Sequence, residues 1–239
     1  MFTHLHIKTL AQQKGVSSLI VMMILILTLI SVLSAQRVGL LNEAFMGADS
    51  DTQRAFAATE AILQDAKLDI QGYKTNDDGT TTACTDDGLG CRAAGDISFP
   101  QGGNAGAYSA SNIELALNGA SCKNGICLPF SGSGLGFWLS SSTLANMKAV
   151  AAKYGQYTGA DSADNSVLAN KSWYWVEVYT YNTGGEIAQS GLPSAVKPPM
   201  VNPINPYVYR ITAITEGQKT GTISVLQTYY VPSKNAGTS

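Results

Sequence analysis

The chain has 239 residues, of which 45% are hydrophobic and only 13% charged, and a formal net charge of −2 at pH 7. Two lysines, Lys8 and Lys14, precede the first long apolar run, and the remainder carries 13 basic against 17 acidic residues, a balance that speaks against nucleic acid as a partner. His4 and His6 are its only histidines, so histidine-based catalysis and histidine-ligated metals have nothing to draw on past the N-terminus.

The first element is written in "QQKGVSSLIVMMILILTLISVLSAQR", Gln12 to Arg37. From Val16 to Ala35 there are 20 residues without a charge or a proline, enough at 1.5 Å per residue to cross a bilayer core as a helix. Its polar side chains, Ser17, Ser18, Thr28, Ser31 and Ser34, can bond back to their own helix. A cleaved signal usually has an apolar region of about 7–15 residues followed by a small-residue box. "SVLSAQR" offers such a box at Ser34 or Ala35, but the length argues for a retained anchor. Lys8 and Lys14 favour a cytoplasmic N-terminus, with everything after Ala35 exported.

Export makes the cysteines readable. Cys84, Cys91, Cys122 and Cys127 all follow the anchor, where an oxidising compartment favours disulfides. Three pairings exist; the close spacings favour Cys84–Cys91 and Cys122–Cys127, with crossed pairings left open. The two gaps do not share the short spacing of a zinc site.

The helix does not stop at the membrane. No proline occurs from Val16 to Gln71, and residues 36–72 read as an amphipathic continuation. Phe56, Thr59, Ile62/Leu63, Ala66 and Ile70 form an apolar stripe at three- and four-residue steps, opposite a solvated face of Arg54, Asp65 and Lys67–Asp69. Gly39 and Gly47 each cost about 1 kcal/mol relative to alanine, and Gly72 is the natural C-cap.

Residues 74–172 have turn and loop composition, with a short helix expected over Ser141–Ala152, capped by Ser141 or Ser142. Two "DDG" runs lack the alternating ligands and closing glutamate of a calcium loop and read as acidic turns. After Lys171 the period becomes two. "WYWVEVYTY" sets Trp173, Trp175, Glu177, Tyr179 and Tyr181 on one face and Tyr174, Val176, Val178 and Thr180 on the other. Tyr207–Thr215 and Gly221–Val231 follow as strands joined by "EGQKT", after a proline-rich connection that cannot sit mid-sheet. Glu177 can pair with Arg210 across the sheet. A three- or four-stranded antiparallel sheet needs a cover, and the back of the long helix is the stripe on offer. The expected fold is α+β: a lollipop whose stick is bare in its first half and sunk in a small sheet-bearing head, residues 73–239, in its second.

These residues resemble a known family. "QQKGVSSLIVMM" looks like a prepilin signal, a basic leader (residues 1–15) ending in glycine. That resemblance implies that prepilin peptidase cuts between Gly15 and Val16, next to Lys14, leaving Val16 as a methylated first residue and 16–35 as the transmembrane segment. "MGADSDTQRAFAATEAILQDAK" resembles the block after the anchor in PilX-type minor pilins of type IV pili, carried by Met46, Ala55, Phe56, Ala58, Glu60 and Ala61. The closing hairpin resembles the family's last strands, carried by Tyr209, Arg210, Ile211, Thr212 and Ala213, then Val225, Leu226, Gln227 and Tyr229; "NGICLP" around Cys127 has the same flavour. Ile20 stands where major pilins have a glutamate that pairs with the N-terminal amine of the subunit ahead. A carboxylate in lipid is expensive without such a partner, so its absence suits a place at or near the tip, as in GspK-like pseudopilins.

The resemblance implies a non-enzymatic filament subunit without cofactors that helps initiate or cap assembly. It implies contacts with other minor pilins and the major pilin through the N-terminal helix, and with a tip adhesin. The chain would span the inner membrane once with its C-terminus in the periplasm, then move into a surface pilus that drives twitching motility. No GxSxG, HExxH or P-loop argues for an enzyme. A type II secretion minor pseudopilin and a single-pass anchored binding or sensor protein are the alternatives.

Overall fold

A computed structural model describes residues 14–76, 78–84, 91–92, 96–99, 110–130, 132–160, 170–180 and 207–232. Helix α1 runs from Lys14 to Gln71, 58 residues, as a proline-free stretch of good helix formers should. It ends where glycine allows: Gly72 takes φ 73°, and its N–H donates to Asp69 O at 3.1 Å, a left-handed cap that a side-chain-bearing residue would adopt only with strain. The chain forms two compact units, Met1–Ser50 and Asp51–Ser239, and α1 contributes residues to each.

In the second unit, α1 is followed by a hairpin of β1 (Tyr73–Thr75) and β2 (Thr81–Ala83), then α2 (Ala110–Leu117), β3 (Cys122–Lys123) and β4 (Ile126–Cys127). A 3-10 stretch over Gly132–Leu139, α3 (Ser141–Ala149), β5 (Ala152–Lys153), β6 (Ser172–Thr180), β7 (Tyr207–Glu216) and β8 (Ile223–Tyr230) complete it. The main sheet has the order β3-β4-β6-β7-β8, with β5 also paired to β6. The long strands match the expected ones: β6 and β7 are antiparallel with Glu177 opposite Arg210, and β7 and β8 pair from Tyr209↔Tyr230 to Glu216↔Ile223.

The sheet differs from the expected one in two respects. It has six strands, and β4 runs parallel to β6, with Ile126 opposite Val176. Strands β3, β4 and β5 are two residues each, too short for alternation to show. Yet one signal was there. Asn124 and Gly125 take φ 53° and 79° between the paired Cys122–Lys123 and Ile126–Cys127, which is the Asn-Gly hairpin turn.

Both faces of the sheet are also covered. Tyr174, Val176 and Val178 of β6, with Tyr209, Ile211 and Ala213 of β7, are buried together with Ile62, Ala66 and Ile70 of α1. On the other face Trp175 and Ile214 are buried with Phe137, Leu144 and both cysteines of the β3–β4 hairpin. Sequence reading left this second cover blank because it comes from the 3-10 stretch and α3. Helix α3 stops at Ala149, three residues short of the expected end, because Ala152 joins the sheet opposite Tyr174. Its N-cap is Ser140, with no side-chain cap bond, not Ser141 or Ser142. Tyr181, the proline-rich connection and the second acidic run lie outside the described residues.

The stripe on α1 is rotated from the expected one. Asp51, Ala55, Ala58, Thr59, Ile62, Asp65, Ala66, Asp69 and Ile70 are buried, whereas Phe56 is 46% exposed. Asp65 and Asp69, expected on a solvated face, are each only 3% exposed. They turn inward because the head supplies donors that make carboxylates affordable there.

Candidate assembly surfaces

The first surface is α1 itself before the head begins. Ser17–Gln71 is long and apolar enough to cross a membrane, and its most apolar window, mean hydropathy 2.7, has none of its residues buried. The hydroxyls of Thr28, Ser31 and Ser34 donate to Leu25, Leu27 and Ile30 carbonyls at 2.9 Å, so this segment shows its surroundings little besides hydrocarbon. Lys14, Gly15 and Val16 lie in its first turn. Ile20 and Met46 are exposed, and nothing lies within 4 Å of where a side chain on Gly39 would start. Such a surface needs lipid or other helices around it.

The block over residues 55–61 splits between two directions. Ala55 and Ala58 are buried, Ala61 is half-buried, and Phe56 and Glu60 point outward. The small residues let the helix lie close to the head, and the outward pair belongs to its free face.

Three aspartates on the inner face fix α1 in the head, each to a different segment. Asp51 accepts the backbone N–H groups of Gln218 and Lys219 at 2.9 and 3.0 Å, in the β7–β8 turn. Gly217 is required beside it, since an added Cβ would lie 2.4 Å from Asp51 Oδ2. Asp65 accepts Gly155 N–H at 2.8 Å and the Thr158 hydroxyl. Asp69 accepts from Arg92 Nε at 3.0 Å and from the Tyr174 hydroxyl at 2.6 Å. Arg92 also donates to the Ile97 and Asn124 carbonyls and lies 3.7 Å over the Tyr157 ring. Sequence reading missed all three anchors. Their signal was the placement of acids at 51, 65 and 69, in step with Ala55, Ala58, Ile62 and Ala66.

The Asp51 anchor makes a pH prediction. The Lys219 and then the Gln218 N–H hold its carboxyl below the ordinary 3.8, against the opposing pull of burial. A folded-state value below the unfolded one contributes stability above the unfolded pKa, and that contribution is lost as pH falls through the folded value. Wild type and Asp51→Asn should therefore differ most in thermal midpoint at neutral pH, and the gap should narrow as pH falls below about 4. An equal gap at pH 7 and pH 3 would remove the carboxylate from the account.

The hairpin residues surround a second buried ion pair. Arg210 Nε donates to Glu177 Oε2 at 2.6 Å across β6 and β7, Phe130 N–H to Oε1 at 2.7 Å and the Tyr179 hydroxyl to Oε1 at 3.1 Å. Tyr209, Ile211, Thr212 and Ala213 are buried, and Val225, Leu226 and Tyr229 half-buried, while Gln227 reaches Thr212 Oγ1 at 2.8 Å. The aromatics of β6 chiefly fill the core: Trp175 and Tyr179 are fully buried, and half-buried Trp173 is roofed by Lys148 at 4.2 Å, itself paired with Glu216.

Of the three pairings open to the cysteines, the structure has Cys84–Cys91 and Cys122–Cys127, with Cα atoms 5.1 and 4.1 Å apart. The second clasps β3 to β4 under Trp175. Among the described residues no group of three or more His, Cys, Asp or Glu side chains is placed to hold a metal ion.

A family model described as the type IV pilus assembly protein PilX C-term matches residues 70–232. No characterised protein and no solved structure matches the chain. The matched region runs from the end of α1 through the whole sheet and includes the middle of the chain, where only "NGICLP" around Cys127 had resembled the family. An apolar helix followed by a disulfide-clasped sheet, with more than half of the chain matched, places the protein in the PilX family of type IV pilus assembly proteins.

Proposed function

We propose that this chain is a low-abundance minor pilin that helps initiate or cap a type IV pilus, acting by assembly and not by catalysis. The observation that carries the reading is the continuous α1, exposed and apolar over its first half and anchored in the head by three carboxylates over its second. Such a helix can leave the bilayer only if other helices replace the lipid, so a filament bundle is its natural destination. Prepilin peptidase would cut after Gly15 and leave a methylated Val16. The inner membrane holds the chain, head outward, until other minor pilins and the major pilin take up the helix, and the head then meets its neighbours or a tip adhesin. Ile20, apolar where a filament-body subunit has a carboxylate, fits a position with no subunit ahead.

Deleting the chain should sharply reduce surface pili and twitching while major-subunit levels in the membrane stay unchanged. Intact mass of the membrane-extracted protein should show loss of residues 1–15 and one added methyl. Normal piliation in the deletion strain, or recovery at a stoichiometry equal to the main subunit, would reject the initiator role; a mature terminus near Gln36 would reject the anchor.

A further inference from the structure

Strand β8 ends the order β3-β4-β6-β7-β8, and among the described residues no strand lies on its outer side. It pairs with β7 at every one of its 8 residues, from Tyr209↔Tyr230 to Glu216↔Ile223, without a bulge. Along an antiparallel strand alternate residues turn their N–H and C=O away from the partner, so β8 holds a row of donors and acceptors outward. Natural sheets blunt such edges with charge, proline, bulges or very short strands. The far side of this sheet does so: β3 and β5 have 2 residues each, and each carries an exposed lysine, Lys123 or Lys153. No such device protects β8, and no charge or proline occurs from Thr220 to Val231. Left bare, an uncharged edge of this kind recruits other strands without discrimination.

The chemistry of the edge defines what covers it. A row of backbone donors and acceptors is matched by another extended backbone. Ile223 is 45% exposed, and Val225, Leu226 and Tyr229 are half-buried, so aliphatic or aromatic neighbours on an added strand would complete their cover. A charged strand would be desolvated there without a counter-ion. A second copy fits poorly. Two copies sharing the edge about a two-fold axis pair β8 with β8 antiparallel. Asp51 meets the β7–β8 turn and Gln71 donates to the Tyr230 hydroxyl at 2.7 Å, so within this unit α1 runs along β8. The two Asp51 ends, each continuing into an anchor, would then leave from opposite ends of the pair, which one bilayer does not accommodate. We infer that β8 is the docking edge for an uncharged, extended segment of a different chain, aliphatic or aromatic at alternate positions, which adds as the next strand of the sheet. The edge belongs to the head and holds whether or not the chain enters a pilus.

The test uses the full chain in its own cells. A photoreactive benzoylphenylalanine is placed at Ile223 or at Gln227, both exposed and about 14 Å apart along the strand, and the cross-links are mapped by mass spectrometry. Both positions should reach one uncharged segment of the same partner, at sites about four residues apart. A helix lying along the edge would instead give sites about nine residues apart. With the probe at Ile223, Gln227→Lys should lower the cross-link yield by at least about tenfold. Gln227→Thr, which also gives up the bond to Thr212 but adds no charge, should keep most of it. Helical spacing, sites scattered over many chains, a charged segment, β8 of a second copy or no cross-link to any other chain would each overturn the assignment, as would an undiminished yield in Gln227→Lys.

Discussion

Glu177→Ala should destabilise the head by about 3–5 kcal/mol, because it removes one half of a buried ion pair and strands the other. Glu177 is fully buried, and Arg210 is 3% exposed. The carboxylate also satisfies the Phe130 N–H and the Tyr179 hydroxyl, so three donors lose their acceptor at once. Burial works against the Arg210 cation, but the hydrogen bond and charge of Glu177 more than offset it and hold its pKa above the ordinary value. Tyr179 is pushed up by burial and then by Glu177, so it stays a neutral donor. Without Glu177 the Arg210 guanidinium still keeps its charge, as arginine does in proteins, and burial alone still holds the Tyr179 hydroxyl above its ordinary value. Denaturant unfolding of the full chain in detergent micelles, followed by tryptophan fluorescence, should report the loss through Trp175 two residues away. The double change Glu177→Leu with Arg210→Met should be less damaging than Glu177→Ala alone, since an apolar pair leaves no charge behind. A double change as costly as the single would mean that packing at this site, and not charge, carries the effect.

How much of this was legible depends on the length over which a pattern repeats. The long helix and β6, β7 and β8 each hold their period for eight residues or more, so their type and the Glu177–Arg210 register could be read from the residues alone. Strands of two residues have no period. Cys122–Lys123 and Ile126–Cys127 were announced only by the Asn124–Gly125 turn between them, and their parallel pairing to β6 is a tertiary fact that no local pattern contains. The inner face of α1 failed for a different reason. Hydrophobicity alone favoured Phe56 over Asp65 and Asp69, yet those aspartates are buried because Gly155, Thr158, Arg92 and Tyr174 come from up to 105 residues away to meet them. A polar residue on a buried stripe can be recognised only when its partner is known. The family block showed the same limit: Ala55 and Ala58 could be matched as letters, but that they face the head and Phe56 does not is visible only in the fold.

Asp69→Ala should be comparably severe, at about 3–5 kcal/mol, and should separate head stability from membrane anchoring. Asp69 is the last inner-face acid before the Gly72 cap, and its loss leaves Arg92, 3% exposed, with two carbonyls and two aromatic rings but no counter-charge. Tyr174 loses its acceptor as well. Burial first, and then the Asp69 charge, holds that phenol well above its ordinary pKa, and burial, the larger cause, remains when the aspartate is gone. Asp69→Asn keeps an acceptor without the charge and should cost less, about 1.5–3 kcal/mol. Because Arg92 and Asp69 share one ion pair, a cycle of Asp69→Ala, Arg92→Ala and the double variant should show coupling of up to about 3 kcal/mol. The damage is confined to the unit beginning at Asp51, while the exposed apolar helix of residues 17–50 makes no use of Asp69. Asp69→Ala should therefore fractionate with the membrane like wild type while its head becomes sensitive to protease. If the variant melts within about 1 kcal/mol of wild type, the Asp69–Arg92–Tyr174 cluster is not what seats the helix end in the head. If it leaves the membrane fraction, anchoring depends on the head after all.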